Sequence, residues 1–385
     1  MSDFYIGLMS GTSMDGVDGA LVDFSQSKPA VVQVFTTQLA IELRAELMAL
    51  NTAGHNELHR AALAGNALAR TYAQVVHGLL KCSGVLAAQV RAIGAHGQTL
   101  RHQPGLHDST GYTLQLNQPA LIAELTGIDV VADFRSRDVA AGGQGAPLAP
   151  FFHRAWFADA TASASGANVA STSKTIGVLN IGGISNLTIL QPDGTTLGFD
   201  CGPGNALLDM WCQQHTGAAY DDGGAWGAGG QVNTPLLQAL LAEPYFALPP
   251  PKSTGRDLFN RAWLDRHLAQ ADVDTPQNIQ KTLMELTASA IKDCSTSYEI
   301  NSASKLDELI VCGGGALNTA LMQRLAQLLP HCRVLSSAAR GLPPQDVEAT
   351  AFAWLARQTV LRQALPLTSV TGARGARVLG CIYPA

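Results

Sequence analysis

Short apolar runs alternate with glycine-rich turns along much of this chain. Residues 4–9 form an apolar run, residues 10–16 form a turn rich in Gly, Ser and Thr, and residues 17–24 return to an apolar run. Apolar runs of this length, bounded by turn residues, are typical of β-strands. The pattern therefore predicts a strand, a glycine-rich turn and a second strand near the N-terminus.

The same arrangement recurs near the middle of the chain. Residues 175–180 and 187–190 predict two strands, and the turn between them contains two adjacent glycines. A third strand is predicted at residues 197–200, and the glycine-rich turn 201–205 follows it. Two units of strand, glycine-rich turn and strand, one at the start of each half of the chain, indicate a duplicated architecture.

Helical spacing of apolar residues occurs between the predicted strands. Residues 55–80 place apolar side chains near one face of a helix. Asn318 is a favourable N-cap residue, and Pro276 is suited to the first helical position. Local patterns predict further strands at 90–95, 128–134 and 309–312, and further helices at 275–291, 319–329 and 346–357.

Composition excludes several classes of function. At roughly 150 residues per domain, 385 residues allow two to three domains. Only 14% of residues are charged and the net charge is −5, which argues against a coiled coil, an acidic tail and a polybasic nucleic-acid binder. We expect neither a membrane span nor a signal peptide. The seven cysteines form no C-x-x-C pair, which favours a reducing cytoplasm.

The turn at residues 11–18 is the first candidate site. Gly, Thr and Ser between two strands direct backbone N–H groups and hydroxyls at one point, which is suited to binding phosphate. A P-loop is excluded because no helix and no Gly-Lys-Ser/Thr sequence follow. Asp15 and Asp18 favour a phosphate ligand with a magnesium ion. A tight hairpin without a ligand is the alternative.

Two further glycine-rich turns follow predicted strands. Asp200 precedes the turn 201–205, where a carboxylate is suited to a general base or to holding a metal-bound water. An aspartate that caps the loop is the alternative. Gly313, Gly314 and Gly315 precede a helix N-terminus that favours phosphate or adenosine, with a plain strand-to-helix turn as the alternative.

Polar side chains follow two other predicted strands. Residues 96–99 are His, Gly, Gln and Thr, and their loose spacing to the next two histidines disfavours a zinc site. Arg135 lies in the charged run 133–138, which is either solvated or a fork for a substrate carboxylate or phosphate. Pattern alone places Glu348 at the surface.

These motifs together resemble those of the anhydro-N-acetylmuramic acid kinase family. The resemblance extends over nearly the whole chain, and its most specific parts are residues 7–18 (GLMSGTSMDGVD) and 198–205 (GFDCGPGN). The three adjacent glycines at 313–315 would alone be weak evidence for the resemblance. The other matching segments are residues 96–99, 133–135, 138–148, 180–186, 251–256 and 312–318.

The resemblance implies the α/β fold of the sugar-kinase, actin and heat-shock chaperone superfamily, in which two domains flank a central cleft for nucleotide and substrate. It implies a first domain of residues 1–138, completed by residues 345–385, and a second domain of residues 139–344. It also implies bound ATP and magnesium (Mg2+), an amino-sugar substrate and a cytoplasmic homodimer with no nucleic-acid or membrane partner.

The family's nucleotide-binding residues carry over to matching positions of this chain. Asp18 is implied as the metal ligand. At position 201 the family resemblance implies a small hydroxyl residue, and this chain has Cys201 instead. The hydrogen bond to phosphate that such a hydroxyl would make is therefore not implied here. The implied ATP-binding residues are Gly11, Thr12, Ser13, Met14, Asp15, Gly16, Val17, Asp18, Gly182, Gly183, Asn186, Gly202, Gly204, Asn205, Gly313, Gly314 and Gly315.

The implied reaction, part of cell-wall recycling, combines hydrolysis with phosphorylation. The 6-oxygen of 1,6-anhydro-N-acetylmuramic acid is tied in an internal acetal. Asp200 is implied as the general base that takes a proton from the water attacking the anomeric carbon, and the freed 6-oxygen attacks the γ-phosphate of ATP. Arg135 is the implied partner of the lactyl carboxylate. The implied partners of hydroxyl and N-acetyl groups are His96, Gln98, Thr99 and Glu348.

Two other functions remain open on sequence alone. A superfamily phosphatase or exopolyphosphatase would share the phosphate-binding turns but release phosphate without an anhydro-sugar acceptor. A nucleotide-gated assembly or chaperone protein would use ATP for domain closure, although the chain has little room for a peptide-binding domain. Residues 159–174, almost all small or polar, predict an inserted surface loop.

Overall fold

The structure of the chain is a computed structural model. The chain divides into two compact units, of which the first comprises Met1–Phe152 and Asp346–Ala385 and the second His153–Gln345. The surface loop predicted at residues 159–174 falls outside the described residues except for Lys174. The structure describes residues 3–11, 14, 16–158, 174–250, 252–255, 257–272, 274–302 and 304–385.

A mixed sheet of six strands forms the centre of the first unit. The strands of this unit are β1 (Phe4–Met9), β2 (Gly16–Asp23), β3 (Ala30–Gln38), β4 (Val90–Ala95), β5 (Gln98–Pro104), β6 (Gly111–Leu116), β7 (Val130–Ala132) and β13 (Cys381–Tyr383). The sheet order is β13-β7-β4-β1-β2-β3, and β5 pairs with β6 alone. Because β1 is parallel to β4 and antiparallel to β2, the ends of β1 and β4 and the start of β2 meet at one edge.

Helices complete the apolar core of the first unit. They are α1 (Ile41–Ala49), α2 (Glu57–Ser83), α3 (Pro119–Thr126), α4 (Ser136–Ala140), α5 (Ala149–Phe157, which continues into the second unit), α12 (Val347–Val360) and α13 (Thr368–Thr371). α2 ends at Gly84, whose left-handed backbone (φ 72°) is a common helix terminator. Its buried Leu68, Tyr72 and Val76 belong to one apolar cluster with residues of β1, β2 and β4.

Helix α12 lies directly against the backbones of two strands. A Cβ atom built on Gly7 of β1 would lie 1.8 Å from the carbonyl oxygen of Ala349. One built on Gly94 of β4 would lie 2.1 Å from the carbonyl oxygen of Phe352. A side chain at either strand position would push the helix off the sheet, so both glycines are required for this approach.

The second unit contains a mixed five-stranded sheet. Its strands are β8 (Ile176–Ile181), β9 (Ile184–Leu190), β10 (Thr196–Pro203), β11 (Glu308–Cys312) and β12 (Arg333–Ser336), in the order β10-β9-β8-β11-β12. Its helices are α6 (Asn205–Thr216), α7 (Ala225–Ala228), α8 (Thr234–Leu241), α9 (Arg261–Leu268), α10 (Pro276–Ser302) and α11 (Thr319–Leu328). Buried Phe259, Trp263 and Leu283 help to fill the core of this unit.

The α/β class is confirmed, because each unit combines a mixed sheet with helices. The strands on either side of the first glycine turn, the long helix predicted at 55–80 and the helix start at Pro276 are also confirmed. Asn318 caps α11 as predicted, since its side chain accepts a hydrogen bond from the N–H of Leu321.

Two predicted strand boundaries are wrong. The strand predicted at 128–134 is limited to β7, because Asp133 has a left-handed backbone (φ 56°) that ends the extended run. β10 does not end at Asp200 but continues to Pro203, with a shift in its pairing to β9 after Asp200. β3 has no predicted counterpart, since its residues alternate between exposed and half-buried instead of forming an apolar run.

Gly7→Ala is expected to destabilise the protein by about 3 kcal/mol, the upper end of the usual range for overpacking, because its Cβ would collide with α12. Gly54→Ala is the matched control, since the nearest atom to its Cβ would be the flexible end of Arg60 at 3.2 Å. We expect the control to change stability by less than about 0.5 kcal/mol. Urea unfolding measures both, and equal stabilities would contradict the packing of α12.

Candidate active site

Two glycine turns of the second unit are joined backbone to backbone. The N–H of Gly204 donates to the carbonyl of Gly183 at 2.9 Å, and the N–H of Asn205 donates to that of Gly182 at 2.8 Å. The turn between β8 and β9 therefore holds the start of α6. The structure thus brings together two of the segments predicted to bind phosphate.

The third glycine turn lies at the same edge of the sheet, because β11 is parallel to β8. The side-chain amide of Asn205 donates to the carbonyl of Ile181 at 3.1 Å. The same side chain faces the third turn, since a Cβ on Gly314 or Gly315 would lie 3.3 Å from one of its amide atoms. Gly313 has a left-handed backbone (φ 75°). Asn205 thus contacts both turns.

The glycines of these turns differ in the space around them. A Cβ on Gly204 would lie 2.4 Å from the carbonyl oxygen of Gly182, and one on Gly315 would lie 2.3 Å from Cγ2 of Ile181. Gly182 itself has no atom within 3.7 Å of its Cβ position, and its φ is outside the left-handed region. Neither backbone strain nor neighbouring atoms explain glycine there, whereas close approach of a ligand would.

Asp200 lies at an irregularity of an edge strand. The register of β10 against β9 shifts between Asp200, which is opposite Asn186, and Gly202. The peptide of Asp200 is bonded to a loop rather than to a strand: its N–H donates to the carbonyl of Lys252 at 3.0 Å, and its carbonyl accepts from Oη of Tyr245 at 2.8 Å. Both backbone groups are therefore satisfied at the sheet edge.

The carboxylate of Asp200 has two different oxygens. Oδ2 accepts from Oγ of Ser253 at 2.8 Å and from the N–H of Thr254 at 3.0 Å. Oδ1 has no hydrogen-bond partner in the part of the chain that the structure describes. Burial raises the pKa of Asp200, and the bonds from Thr254 and Ser253 oppose that rise. A carboxylate held by one oxygen and open at the other has the geometry of a general base.

The partners of Asp200 carry no predicted role. Lys252, Ser253 and Thr254 lie in the segment 251–256, which contributes to the family resemblance as a motif without a function. Pro251 and Arg256 of that segment fall outside the described residues. Tyr245 has no motif around it. Only the three-dimensional contact with Asp200 identifies these residues.

The first glycine turn is described only in part. Thr12, Ser13 and Asp15, all predicted to bind ATP, fall outside the described residues. The N–H of Met14 donates to the carbonyl of Gly11 at 3.1 Å, and Met14 itself has a left-handed backbone (φ 55°). The chain therefore turns tightly between β1 and β2.

Asp18 stands directly after this turn. It pairs with Met9 across β1 and β2, with Val17 buried beside it, and its Oδ1 accepts from Oγ1 of Thr36 at 2.8 Å. Burial raises the pKa of Asp18. Burial and the charge of Asp18 also raise the pKa of Asp346, just before α12. The structure thus adds a second carboxylate, which the sequence did not predict, to the residues that could hold a magnesium ion.

His96 and Arg135 form a direct contact. Nε and Nη2 of Arg135 lie 3.1 and 3.0 Å from Nε2 of His96. Because a guanidinium only donates, Nε2 must accept, which assigns the ring proton to Nδ1. Burial and the charge of Arg135 hold the pKa of His96 well below its usual range, so the ring is neutral. Nδ1 is buried and makes no hydrogen bond within the described residues.

Arg135 is fixed by a second set of contacts. Its Nη1 donates to the carbonyl of Gly145 at 2.9 Å, and the N–H of Gly145 donates to Oδ2 of Asp138 at 2.6 Å. Burial lowers the pKa of Arg135 to about 10, although the charges of Glu348 and Asp138 oppose this shift. Glu348, exposed in the first turn of α12, is therefore close enough to act on Arg135.

The remaining predicted substrate residues are placed differently from each other. Gln98 is buried, and its Oε1 makes no hydrogen bond within the described residues. Thr99 is partly exposed and accepts from Nε2 of Gln115 at 3.3 Å. The structure thus brings His96 and Arg135 into contact, places Glu348 near enough for its charge to act on Arg135, and leaves Thr99 bonded to Gln115 of β6.

Solved structures resemble the chain only remotely. An activator of 2-hydroxyisocaproyl-CoA dehydratase from Clostridium difficile with bound ADPNP is 12% identical, with a TM-score of 0.44 over 91% of this chain and 92% of that chain. A ROK family glucokinase from Streptomyces griseus is 13% identical, with a TM-score of 0.37 over 92% and 99%. None of the described helices combines the length and apolar character that a bilayer crossing demands.

Sequence comparison gives much higher similarity. A family model for anhydro-N-acetylmuramic acid kinase matches residues 3–385. A protein of that name from Variovorax paradoxus is 59% identical over 100% of this chain and 99% of its own length. Another from Albidiferax ferrireducens is 56% identical over 100% of both chains. The chain therefore belongs to the anhydro-N-acetylmuramic acid kinase family.

Proposed function

We propose that this chain is an ATP-dependent kinase that opens the 1,6-anhydro ring of 1,6-anhydro-N-acetylmuramic acid with water and phosphorylates the 6-oxygen. Sugar, ATP and water give N-acetylmuramate 6-phosphate and ADP. Family membership supports the kinase activity. The carboxylate of Asp200, held through Oδ2 and open at Oδ1, is the observation that carries the mechanism. No comparison favours a phosphatase.

Asp200 is the general base of this proposal. Its Oδ1 takes a proton from the water that attacks the anomeric carbon, while the bond between that carbon and the 6-oxygen breaks. The bonds from Ser253 and Thr254 fix the other oxygen, so the base does not have to reorient during the reaction. The freed 6-oxygen then attacks the γ-phosphate, which releases ADP.

The glycine turns hold the phosphates of ATP in this proposal. The open space at Gly182 supports the assignment, because a phosphate could approach that backbone closely. The predicted ATP contacts at Gly11–Asp18, at Gly202–Asn205 and at the triple glycine belong to the same proposal. Asp18 would hold a magnesium ion, which neutralises phosphate charge when it is bound.

Arg135 is the proposed partner of the lactyl carboxylate of the sugar. Its fixed guanidinium and neighbouring neutral imidazole support this role, because Nδ1 of His96 is a buried donor available to a ligand acceptor. Gln98, Thr99 and Glu348 are the other proposed sugar contacts. We also propose, from the family resemblance, that the protein acts as a cytoplasmic homodimer.

The first experiment follows the oxygen of the attacking water. Purified protein is incubated with ATP, Mg2+ and the anhydro sugar in oxygen-18 water, and products are analysed by mass spectrometry. We expect the 6-phosphate sugar with heavy oxygen at its anomeric hydroxyl. Asp200→Asn should reduce its formation by at least about 100-fold, in the range of a lost general base.

Asp193→Asn is the matched control, because Asp193 is an exposed turn residue of the same unit whose carboxylate bonds to Thr195. It should retain the activity of the unaltered protein. ATP hydrolysis with unchanged sugar would contradict the proposed reaction. A fully active Asp200→Asn variant would instead contradict the assignment of the base alone.

The rate should depend on pH through Asp200. A base must be ionised, so kcat/KM should fall as the pH falls through a pKa above the ordinary value of 3.8. Ser253→Ala removes one hydrogen bond that lowers this pKa, so the acid limb should move to higher pH. Rate profiles that begin near pH 3.8 and extend upward until kcat/KM is constant would measure the shift. An unmoved or lower acid limb would argue against Oδ2 being held by Ser253.

Gly182→Ala should weaken ATP binding without destabilising the protein. Its Cβ would meet no atom of the chain closer than 3.7 Å but would occupy the space assigned to phosphate. We expect KM for ATP to rise at least about tenfold, the equivalent of 1.4 kcal/mol. Gly204→Ala is the contrasting variant, because its Cβ would collide with the backbone and destabilise the fold. An unchanged KM in Gly182→Ala would exclude this glycine from the ATP site.

A further inference from the structure

The loop that holds Asp200 approaches it from two directions. One end is a short helical turn, Pro244–Ala247, from which Tyr245 donates its hydroxyl to the carbonyl of Asp200 at 2.8 Å. The other end is the extended segment 252–255, which accepts from the N–H of Asp200 through Lys252 and donates to its carboxylate from the next two residues. Within the described residues, Asp200 is thus bonded at its N–H, its carbonyl and Oδ2.

Lys252 ties the two ends of this loop together. Its Nζ donates to the carbonyls of Phe246 at 3.2 Å and Tyr245 at 3.4 Å. The same ammonium lies 4.8 Å from the ring centroid of Tyr245, a favourable cation–π distance. The carbonyl of Tyr245 also accepts from the N–H of Leu248 at 3.2 Å, whereas that of Phe246 has no other donor among the described residues. Lys252 therefore fixes the position of Tyr245, which holds the backbone of Asp200, relative to Ser253 and Thr254, which hold its carboxylate.

We propose that Tyr245 and Lys252 are positioning residues for the reaction, which hold Asp200 so that Oδ1 faces the water it deprotonates. The inference rests on the proposed role of Asp200 as the base. Neither residue donates to the carboxylate, so both act through the peptide and loop that carry it. β10 is an edge strand, and without this loop the peptide of Asp200 would have no partner on its outer side.

The titration of Asp200 can be distinguished from that of the other titratable groups around this loop. Contact with Cys294 of α10 and burial raise the pKa of the Cys201 thiol. Burial and the charge of Asp200 raise the pKa of Tyr245. Contact with Cys201 lowers the pKa of Cys294, and the charge of Lys252 lowers it further. Both groups with raised pKa values stay protonated over the range in which a carboxylate titrates.

The test compares Tyr245→Phe, Lys252→Met and Lys252→Arg in the full-length protein. Tyr298→Phe is the matched control for the first, since Tyr298 is also buried in this unit and its hydroxyl accepts a hydrogen bond from Nε2 of Gln191 at 3.2 Å. Lys305→Met, at an exposed position, is the control for the second. Thermal unfolding establishes that each variant folds.

Two measurements are made on each variant. The oxygen-18 product assay gives kcat and KM. Carbon-13 NMR of protein labelled at aspartate carboxyl groups gives the pKa of Asp200, with its signal assigned by Asp200→Asn. The second measurement does not require activity.

We expect Tyr245→Phe and Lys252→Met to lower kcat at least tenfold, with KM for ATP changed less than twofold. Lys252→Arg should recover part of the loss, because a guanidinium can donate to the same carbonyls. The pKa of Asp200 should rise in Lys252→Met, where the donors at Ser253 and Thr254 move away, and stay unchanged in Tyr245→Phe, where they remain. Both controls should match the unaltered protein.

Activity within twofold of the unaltered protein in folded Tyr245→Phe and Lys252→Met would overturn the proposal, as would an effect confined to KM. If Lys252→Met does not fold, kcat of Tyr245→Phe decides, because its ring and packing are retained. If the unaltered protein forms no labelled sugar phosphate, the proposed function fails separately. The NMR titration then tests only whether the loop holds Asp200. An unchanged pKa of Asp200 in Lys252→Met would overturn that part of the proposal.

Discussion

The close approach of α12 to β1 and β4 is the constraint on which the first unit depends. Only glycine at positions 7 and 94 permits it, because any Cβ would reach the carbonyl oxygens of the helix. The consequence appears at the start of the helix, where the charge of Asp18 acts on the pKa of Asp346 and the charge of Glu348 acts on that of Arg135. A helix that rests on strand backbone has little freedom to shift, so the two glycines help to fix the positions of the carboxylates at its start.

The second unit uses glycine in two distinct ways. At Gly204 and Gly315 the missing side chain lets three turns pack around Asn205, which is a structural requirement. At Gly182 the missing side chain leaves space that nothing in the described chain fills. Close approach of a ligand would account for a glycine of the second kind. A glycine therefore meets a packing requirement at one position and leaves open space at another, and the structure distinguishes the two cases.

Local patterns could predict much of the fold but little of the contacts at the site. The strands around the first glycine turn, the N-cap Asn318 and the helix start at Pro276 depend on neighbouring residues, and all are confirmed. β3 is stabilised by its pairing with β2, and the irregularity at Asp200 arises from pairing with β9. Such features depend on a partner strand, so a single stretch of sequence does not contain them. The hydroxyl of Ser253 is 53 residues from the aspartate it bonds.

Two opposing effects act on the pKa of Asp200. Burial raises its pKa, which strengthens the carboxylate as a base, since basicity increases with pKa. Burial alone would also favour the protonated form, which cannot accept a proton. The donors from Ser253 and Thr254 oppose the shift and occupy one oxygen only. The proposed role of Asp200 as general base needs both effects, because burial strengthens the base and the loop keeps it ionised with one oxygen open. The edge position of β10 makes this arrangement possible, since an inner strand would have no room for the loop.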